Sequence, residues 1–187
     1  MRKKTKFLVL TILLIVGRIY DVYSTSIYTP DLAHETNIAV KYLGAGWTSV
    51  IALQLLVTGL VIFFLHYYFF KFKTIRPDES DLTLKQYISY SLFNDKNSFG
   101  KAFYKMPGNK SVLIATTGYI TTMTLIAISY IVGTSTTILI MSEDYKRIYK
   151  MGIPYLLYCI IGMAAIYFTT RFFQIEYKRY KDGYALT

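Results

Sequence analysis

Four long apolar runs constrain this chain more than any other feature of its sequence. They cover approximately residues 7–28, 47–70, 111–141 and 151–173. A helix needs roughly 20 apolar residues to cross a bilayer, and only a helix satisfies its own backbone hydrogen bonds in a single lipid-exposed pass. The roughly ten-residue alternating segments of a membrane barrel are missing from the sequence. We therefore expect an all-α integral membrane protein, with one four-helix domain over residues 1–187.

Composition and charge fit the same class of protein. Hydrophobic residues make up 53% of the chain, and they occur in blocks. The net charge is +10, and the basic residues flank the apolar blocks, so membrane lipids with anionic headgroups are the expected partners rather than nucleic acid. Cys159 is the only cysteine, which excludes an intrachain disulfide and a CxxC metal or redox motif.

The distribution of Lys and Arg predicts the topology. The basic N-terminal segment MRKKTK followed by an apolar run resembles a signal peptide. The apolar run is too long for one, however, and contains Arg18 and Asp21, so we expect it to be retained as the first helix. Both termini and the loop 71–110 together carry 16 of the 21 Lys and Arg residues. By the positive-inside rule these parts should be cytoplasmic.

The loop 71–110 is too long to be a plain connection. It contains one stretch with apolar positions at helical spacing: Leu84, Tyr87, Ile88, Ser91 and Leu92. This stretch predicts a cytoplasmic-side amphipathic helix that either lies on the inner leaflet or packs under the bundle. Two further expectations concern helix length. The third spanning run, at 31 residues, should tilt, protrude or break, with any break at Gly133, and residues 174–187 should form a frayed polar tail.

The first spanning run contains two ionisable residues, Arg18 and Asp21, which lie on one helical face. Charged groups are costly in hydrocarbon and are functional candidates by default. Asp21 lies about 10 Å below the predicted outer end of its helix, at 1.5 Å per residue. Gln54 and Tyr158 have similar predicted depths on the second and fourth helices, and residues 129–134 of the third helix, beginning with Ser129, fall in the same zone. These residues predict one polar layer that opens outward and draws on all four helices.

The loop after the first helix supplies the remaining candidates: His34, Glu35 and Asn37. We take Asp21, Arg18 and Glu35 as candidate catalytic residues, and Gln54, His34, Asn37 and Tyr158 as candidate substrate-binding residues. A desolvated carboxylate can accept a proton, and arginine can hold an anionic headgroup. No metal or cofactor is expected. HETN is not a HExxH motif, and the second histidine, His66, is predicted at the opposite membrane face from His34.

The segment RIYDVYSTSIYTPDLAHETN, followed by LGAGW, resembles a motif of small uncharacterised multi-pass bacterial membrane proteins. The pattern is an Asp and a Thr near a helix end, then PDL, then Glu-x-Asn-Pro and a Gly-rich entry to the next helix. The matching residues are Asp21, Thr25, Pro30, Asp31, Glu35, Asn37, Gly44 and Gly46, and Ile38 replaces the usual Pro. The resemblance implies an integral protein of four or more helices, with Asp21, Glu35 and Asn37 in one constellation.

Three functional hypotheses follow, and whether the protein is an enzyme stays open. The first is an intramembrane site that binds or processes a lipid headgroup or small molecule, in an outward-facing pocket beside Arg18 and Asp21. The second is a non-enzymatic assembly or partner subunit in a homo- or hetero-oligomer, with a structural ion pair and contacts through Gly118, Gly133 and Gly162. The third, a transporter, is disfavoured because the sequence has no detectable internal repeat.

Overall fold

The computed structural model describes residues 2–32 and 46–184, and 81% of these residues are helical. No strand occurs within these two ranges. The helices, numbered in chain order, are α1 (Lys3–Tyr28), α2 (Trp47–His66, continued by a π turn over Tyr67–Lys71), α3 (Leu84–Phe93), α4 (Lys110–Met141), α5 (Glu143–Lys150) and α6 (Ile153–Tyr184). Of these, α1, α2 with its π turn, α4 and α6 are long and apolar enough to cross a membrane.

The helix α4 is the central element, because α1, α2 and α6 all pack against it. It runs unbroken from Lys110 to Met141, so of the three expected alternatives the break at Gly133 does not occur. This glycine instead lets α1 approach: a Cβ there would lie 2.8 Å from the ring of Tyr20. Gly118 has the same role towards α2, since a Cβ would lie 2.4 Å from the carbonyl oxygen of Phe64.

The helix α3 confirms the amphipathic stretch in the long loop. Thr83 and Gln86 form a capping box at its start, and Asn94 ends it in the left-handed conformation. Its apolar face is buried against the rest of the chain, with Tyr87 stacked on Tyr180 at a ring distance of 5.0 Å. Of the two expected positions, the structure therefore has the helix packed under the bundle.

The expected frayed tail after residue 173 is wrong, because α6 stays helical to Tyr184. Three residues of this extension explain why: Glu176 and Tyr180 are fully buried, and Tyr177 donates a hydrogen bond to the carbonyl oxygen of Leu82. One face of the extension is thus buried, while Gln174, Lys178 and Asp182 on its other face are exposed. The start of α1 is also longer than expected, since Lys3 already belongs to the helix.

The largest group of buried side chains lies at one end of the bundle, where α2, α3, α4 and α6 meet. Its members include Leu65, Phe69, Phe72, Ala115 and Phe172. We call this end of the bundle the Glu176 end. The opposite end, where Trp47 donates a hydrogen bond to the carbonyl oxygen of Pro30, is called the Arg18 end. Towards the Arg18 end the helices expose large apolar side chains, as expected of surfaces that lipid would cover.

Candidate functional site

The predicted ion pair forms within α1. Arg18 Nη1 lies 3.0 Å from Asp21 Oδ2 and 3.1 Å from the hydroxyl of Ser129 on α4. The spacing of three residues brings the two charges to the same face, as the sequence indicated. Both side chains are largely buried, with 15% and 14% of their surface exposed. Sequence reasoning placed Ser129 in the same zone, and the structure makes it a direct partner of Arg18.

The hydrogen bonds of Arg18 use only part of the guanidinium. A guanidinium carries five N–H donors, and Nη1 supplies two of them. The other three, on Nε and Nη2, have no hydrogen-bond partner among residues 2–32 and 46–184. A purely structural ion pair would have no need of these three further donors.

Further polar contacts hold α1 against α4 around the pair. Tyr20 and Thr137 share a hydrogen bond of 2.8 Å between their hydroxyls. Ser24 donates to the backbone carbonyl of Asp21, so its hydroxyl is satisfied within α1. The pair therefore lies in a rigid interface between two helices.

The other predicted site residues have different positions. Gln54 is half-buried on α2 and is not one of the partners of Arg18, which are Asp21 and Ser129. Tyr158 lies on the outward face of α6 with 59% of its surface exposed, so the fourth helix does not bring it to the ion pair. His34, Glu35 and Asn37 lie outside the described residues. The structure thus supports a two-helix site formed by α1 and α4.

Residues 29–32, which begin the loop above the pair, form a hydrogen-bonded turn. The amide of Leu32 donates to the carbonyl of Thr29 at 3.0 Å, and Leu32 adopts a φ of 61°. A residue in this left-handed conformation does not continue a helix, so Leu32 does not extend the turn into a helical one.

A second polar network lies at the Glu176 end, and the sequence did not reveal it. The carboxylate of Glu176 is buried and accepts from Tyr68 at 3.1 Å and from Thr74 at 2.7 Å. Arg179, one turn further along α6, donates to it as well. Burial, followed by the nearby Glu176 carboxylate, raises the pKa of Tyr87 on α3, so this phenol stays neutral.

This network forms one wall of a cavity of about 600 Å³. Four basic residues line the cavity: Lys3, Lys73, Arg76 and Arg179. The aromatic rings of Tyr68, Phe69 and Phe72 complete its lining together with Thr74. The cavity is formed by three parts of the chain that are far apart in sequence: the first turn of α1, the segment after α2 and the end of α6.

No group of three or more His, Cys, Asp or Glu side chains that could hold a metal ion occurs in the described part of the chain. No protein family model, curated protein or solved structure matches this chain. The chemistry of its own side chains is therefore the basis for a functional proposal.

Proposed function

We propose that this chain is a four-pass protein of a bacterial inner (plasma) membrane, with cytoplasmic termini, and that it binds an anionic group at Arg18 in an outward-facing polar layer. The ligand would be the headgroup of a membrane lipid or a small anionic molecule. The observation that carries the proposal is the set of three N–H donors of Arg18 without a partner among the described residues.

Physical chemistry favours an anion at this position. Unpaired donors are costly where little water is present, and a planar guanidinium presents them in a fork that matches a phosphate or carboxylate. Asp21 and Ser129 fix the orientation of the guanidinium by occupying Nη1, which leaves the other edge for a ligand. The first hypothesis was a site that binds or processes its ligand, and these contacts support binding. If the bound ligand reacts, Asp21 would serve as a proton acceptor.

The single tryptophan, Trp47, provides a local reporter, because it is bonded to Pro30 at the Arg18 end. We would titrate the full chain in phosphatidylcholine nanodiscs with short-chain phosphatidylglycerol and record the fluorescence of Trp47. Arg18→Gln should weaken the response about 10- to 100-fold, the range for a lost hydrogen bond to a charged group. Arg18→Lys keeps the charge but loses the fork, so it should restore binding only in part.

Arg147→Gln on α5 is the matched control, because it removes one exposed cation near the same end. Equal weakening by Arg147→Gln and Arg18→Gln would mean that general surface charge attracts the lipid, and would contradict the proposal. Asp21→Asn distinguishes a binding site from a structural ion pair. A folded variant with altered lipid binding supports a binding site, and loss of folding alone supports a structural pair.

The second candidate function is an assembly subunit with a structural ion pair. Gly162 favours it, because it lies on the exposed face of α6 with no atom of the described residues within 4 Å of a Cβ placed there. Gly118 and Gly133 count against it, since both contact helices of the same chain. Gly162→Leu should dissociate an oligomer in sedimentation experiments if this candidate is correct, and should change nothing if the chain acts alone.

A further inference from the structure

The cavity at the Glu176 end has an excess of positive charge. Arg179 is paired with Glu176. Lys3, Lys73 and Arg76 line the same space, and none of the three has a carboxylate partner within residues 2–32 and 46–184. Four cations therefore face one carboxylate, and that carboxylate already accepts from Tyr68 and Thr74.

The cations are brought together by tertiary contacts rather than by one flexible segment. Lys3 is fixed by the first turn of α1, and Arg179 by its bond to the buried Glu176. Arg76 packs against the backbone of α6, where a Cβ on Gly183 would lie 3.1 Å from the guanidinium carbon. Like charges held around a common space repel one another, so the arrangement is most stable with an anion between them.

We infer that this cavity is a binding site for a phosphate-bearing group, distinct from the proposed site at Arg18. Lysine and arginine are the usual partners of phosphate oxygens, with arginine able to bind two oxygens at once. The aromatic lining by Tyr68, Phe69 and Phe72 suits the apolar part that adjoins such a group. Basic pockets between spanning helices on the cytoplasmic side are known to hold phospholipid headgroups.

Glu176 has a positioning role in this site. Its two oxygens are engaged by Tyr68, Thr74 and Arg179, so it fixes the arginine at the cavity wall without neutralising the other three cations. The ligand chemistry is the same for a phospholipid headgroup and for free phosphate, and the experiment separates the two sources.

The test uses the full chain in maltoside micelles, with phosphatidylglycerol binding measured by native mass spectrometry. Lys73→Gln/Arg76→Gln should weaken binding about 30-fold, at roughly fivefold per cation removed. Lys105→Gln/Lys110→Gln is the matched control, because it removes two exposed cations outside the cavity lining, one from the segment before α4 and one from the first position of α4. Equal losses in both double variants, or no loss in either, would overturn the inference.

Inorganic phosphate is then added as a competitor to the unaltered chain. Displacement of the lipid by millimolar phosphate identifies a free phosphate or phosphate ester as a sufficient ligand. Retention of the lipid, together with the 30-fold loss in the cavity variant, identifies the lipid headgroup.

Folding of the cavity variant is checked by circular dichroism. If it does not fold, Lys3→Gln replaces it, with an expected loss of about fivefold. The fluorescence response of Trp47 should stay unchanged in these variants, since Trp47 lies at the opposite end. This readout makes failure of the cavity site distinguishable from failure of the Arg18 site.

Discussion

The two ends of the bundle each contain a carboxylate paired with an arginine three residues away, yet the pairs differ in construction. Arg18 and Asp21 are about equally exposed, and Arg18 also donates a hydrogen bond to the hydroxyl of Ser129 on α4. Glu176 is 2% exposed, and its oxygens are bonded to two residues more than 100 positions earlier, Tyr68 and Thr74. The same spacing in sequence thus gives a local pair at one end and a tertiary network at the other.

The difference suggests a division of roles. At the Arg18 end the carboxylate orients the arginine and leaves donors free for a ligand. At the Glu176 end the carboxylate is saturated, and the unpaired charges belong to Lys3, Lys73 and Arg76 around it. Removing the carboxylate should therefore affect mainly binding at the first end and mainly stability at the second.

The largest effect is expected from Glu176→Ala. The change removes a buried acceptor and leaves the hydroxyls of Tyr68 and Thr74 without their partner, which should lower the free energy of unfolding by about 3 kcal/mol. Unfolding by added SDS in mixed micelles measures the change. Glu143→Ala is the control, because Glu143 has the same spacing to Lys146 but is 81% exposed, and it should cost less than about 0.5 kcal/mol. Equal costs would contradict the contrast between buried and exposed pairs.

The next effect concerns the two close helix contacts. Gly118→Ala would bring a Cβ against the backbone of Phe64, which cannot move without shifting α2, and should cost about 3 kcal/mol. Gly133→Ala would bring a Cβ to 2.8 Å from the ring of Tyr20 and to an ordinary 3.5 Å from the Cα of Asp21, so a side chain rather than backbone has to give, and the change should cost about 1 kcal/mol. Gly162→Ala, with open space around it, should be neutral or stabilising because alanine favours a helix. The same unfolding titration measures all three, and a reversed order would be inconsistent with the packing described.

A smaller effect is expected from Ser129→Ala. The change deletes the hydrogen bond between α4 and Arg18 but keeps the ion pair of α1, so it should cost about 1 kcal/mol. It should also loosen the orientation of the guanidinium and weaken the fluorescence response of Trp47. A change in stability without a change in that response would support the structural interpretation of the pair.

The smallest effect concerns pH, at Asp95 after α3. Hydrogen bonds from Ser98 and from the amide of Asn97 lower the pKa of Asp95 below its usual value of 3.8. A lowered pKa means that this contribution to stability is complete above pH 3.8 and is lost as the pH falls through the folded-state pKa. Asp95→Asn should remove that dependence, as followed by thermal unfolding between pH 2 and 5, and should lower the stability at pH 7 only slightly because Asp95 is exposed.

The sequence determined the all-helical class, the four long apolar helices, the amphipathic helix α3 and the ion pair of α1. These features depend on runs and on spacings of three or four residues, which the geometry of a helix fixes locally. The length of α6 was not predicted, because residues 174–184 are largely polar. Glu176 and Tyr180 are nevertheless buried, through contacts with Tyr68, Thr74 and Tyr87.

Only the tertiary structure decided which polar groups meet. Tyr158 and Gln54 were assigned to the layer from their predicted depth alone, but depth does not fix the direction of a helical face, and Tyr158 is 59% exposed on α6. The cavity at the Glu176 end joins residues from the first turn of α1, the segment after α2 and the last turns of α6. No local pattern encodes such a meeting, because it depends on how the helices cross. The sequence therefore specified the helices and one charged pair, and their packing created the second, more basic site.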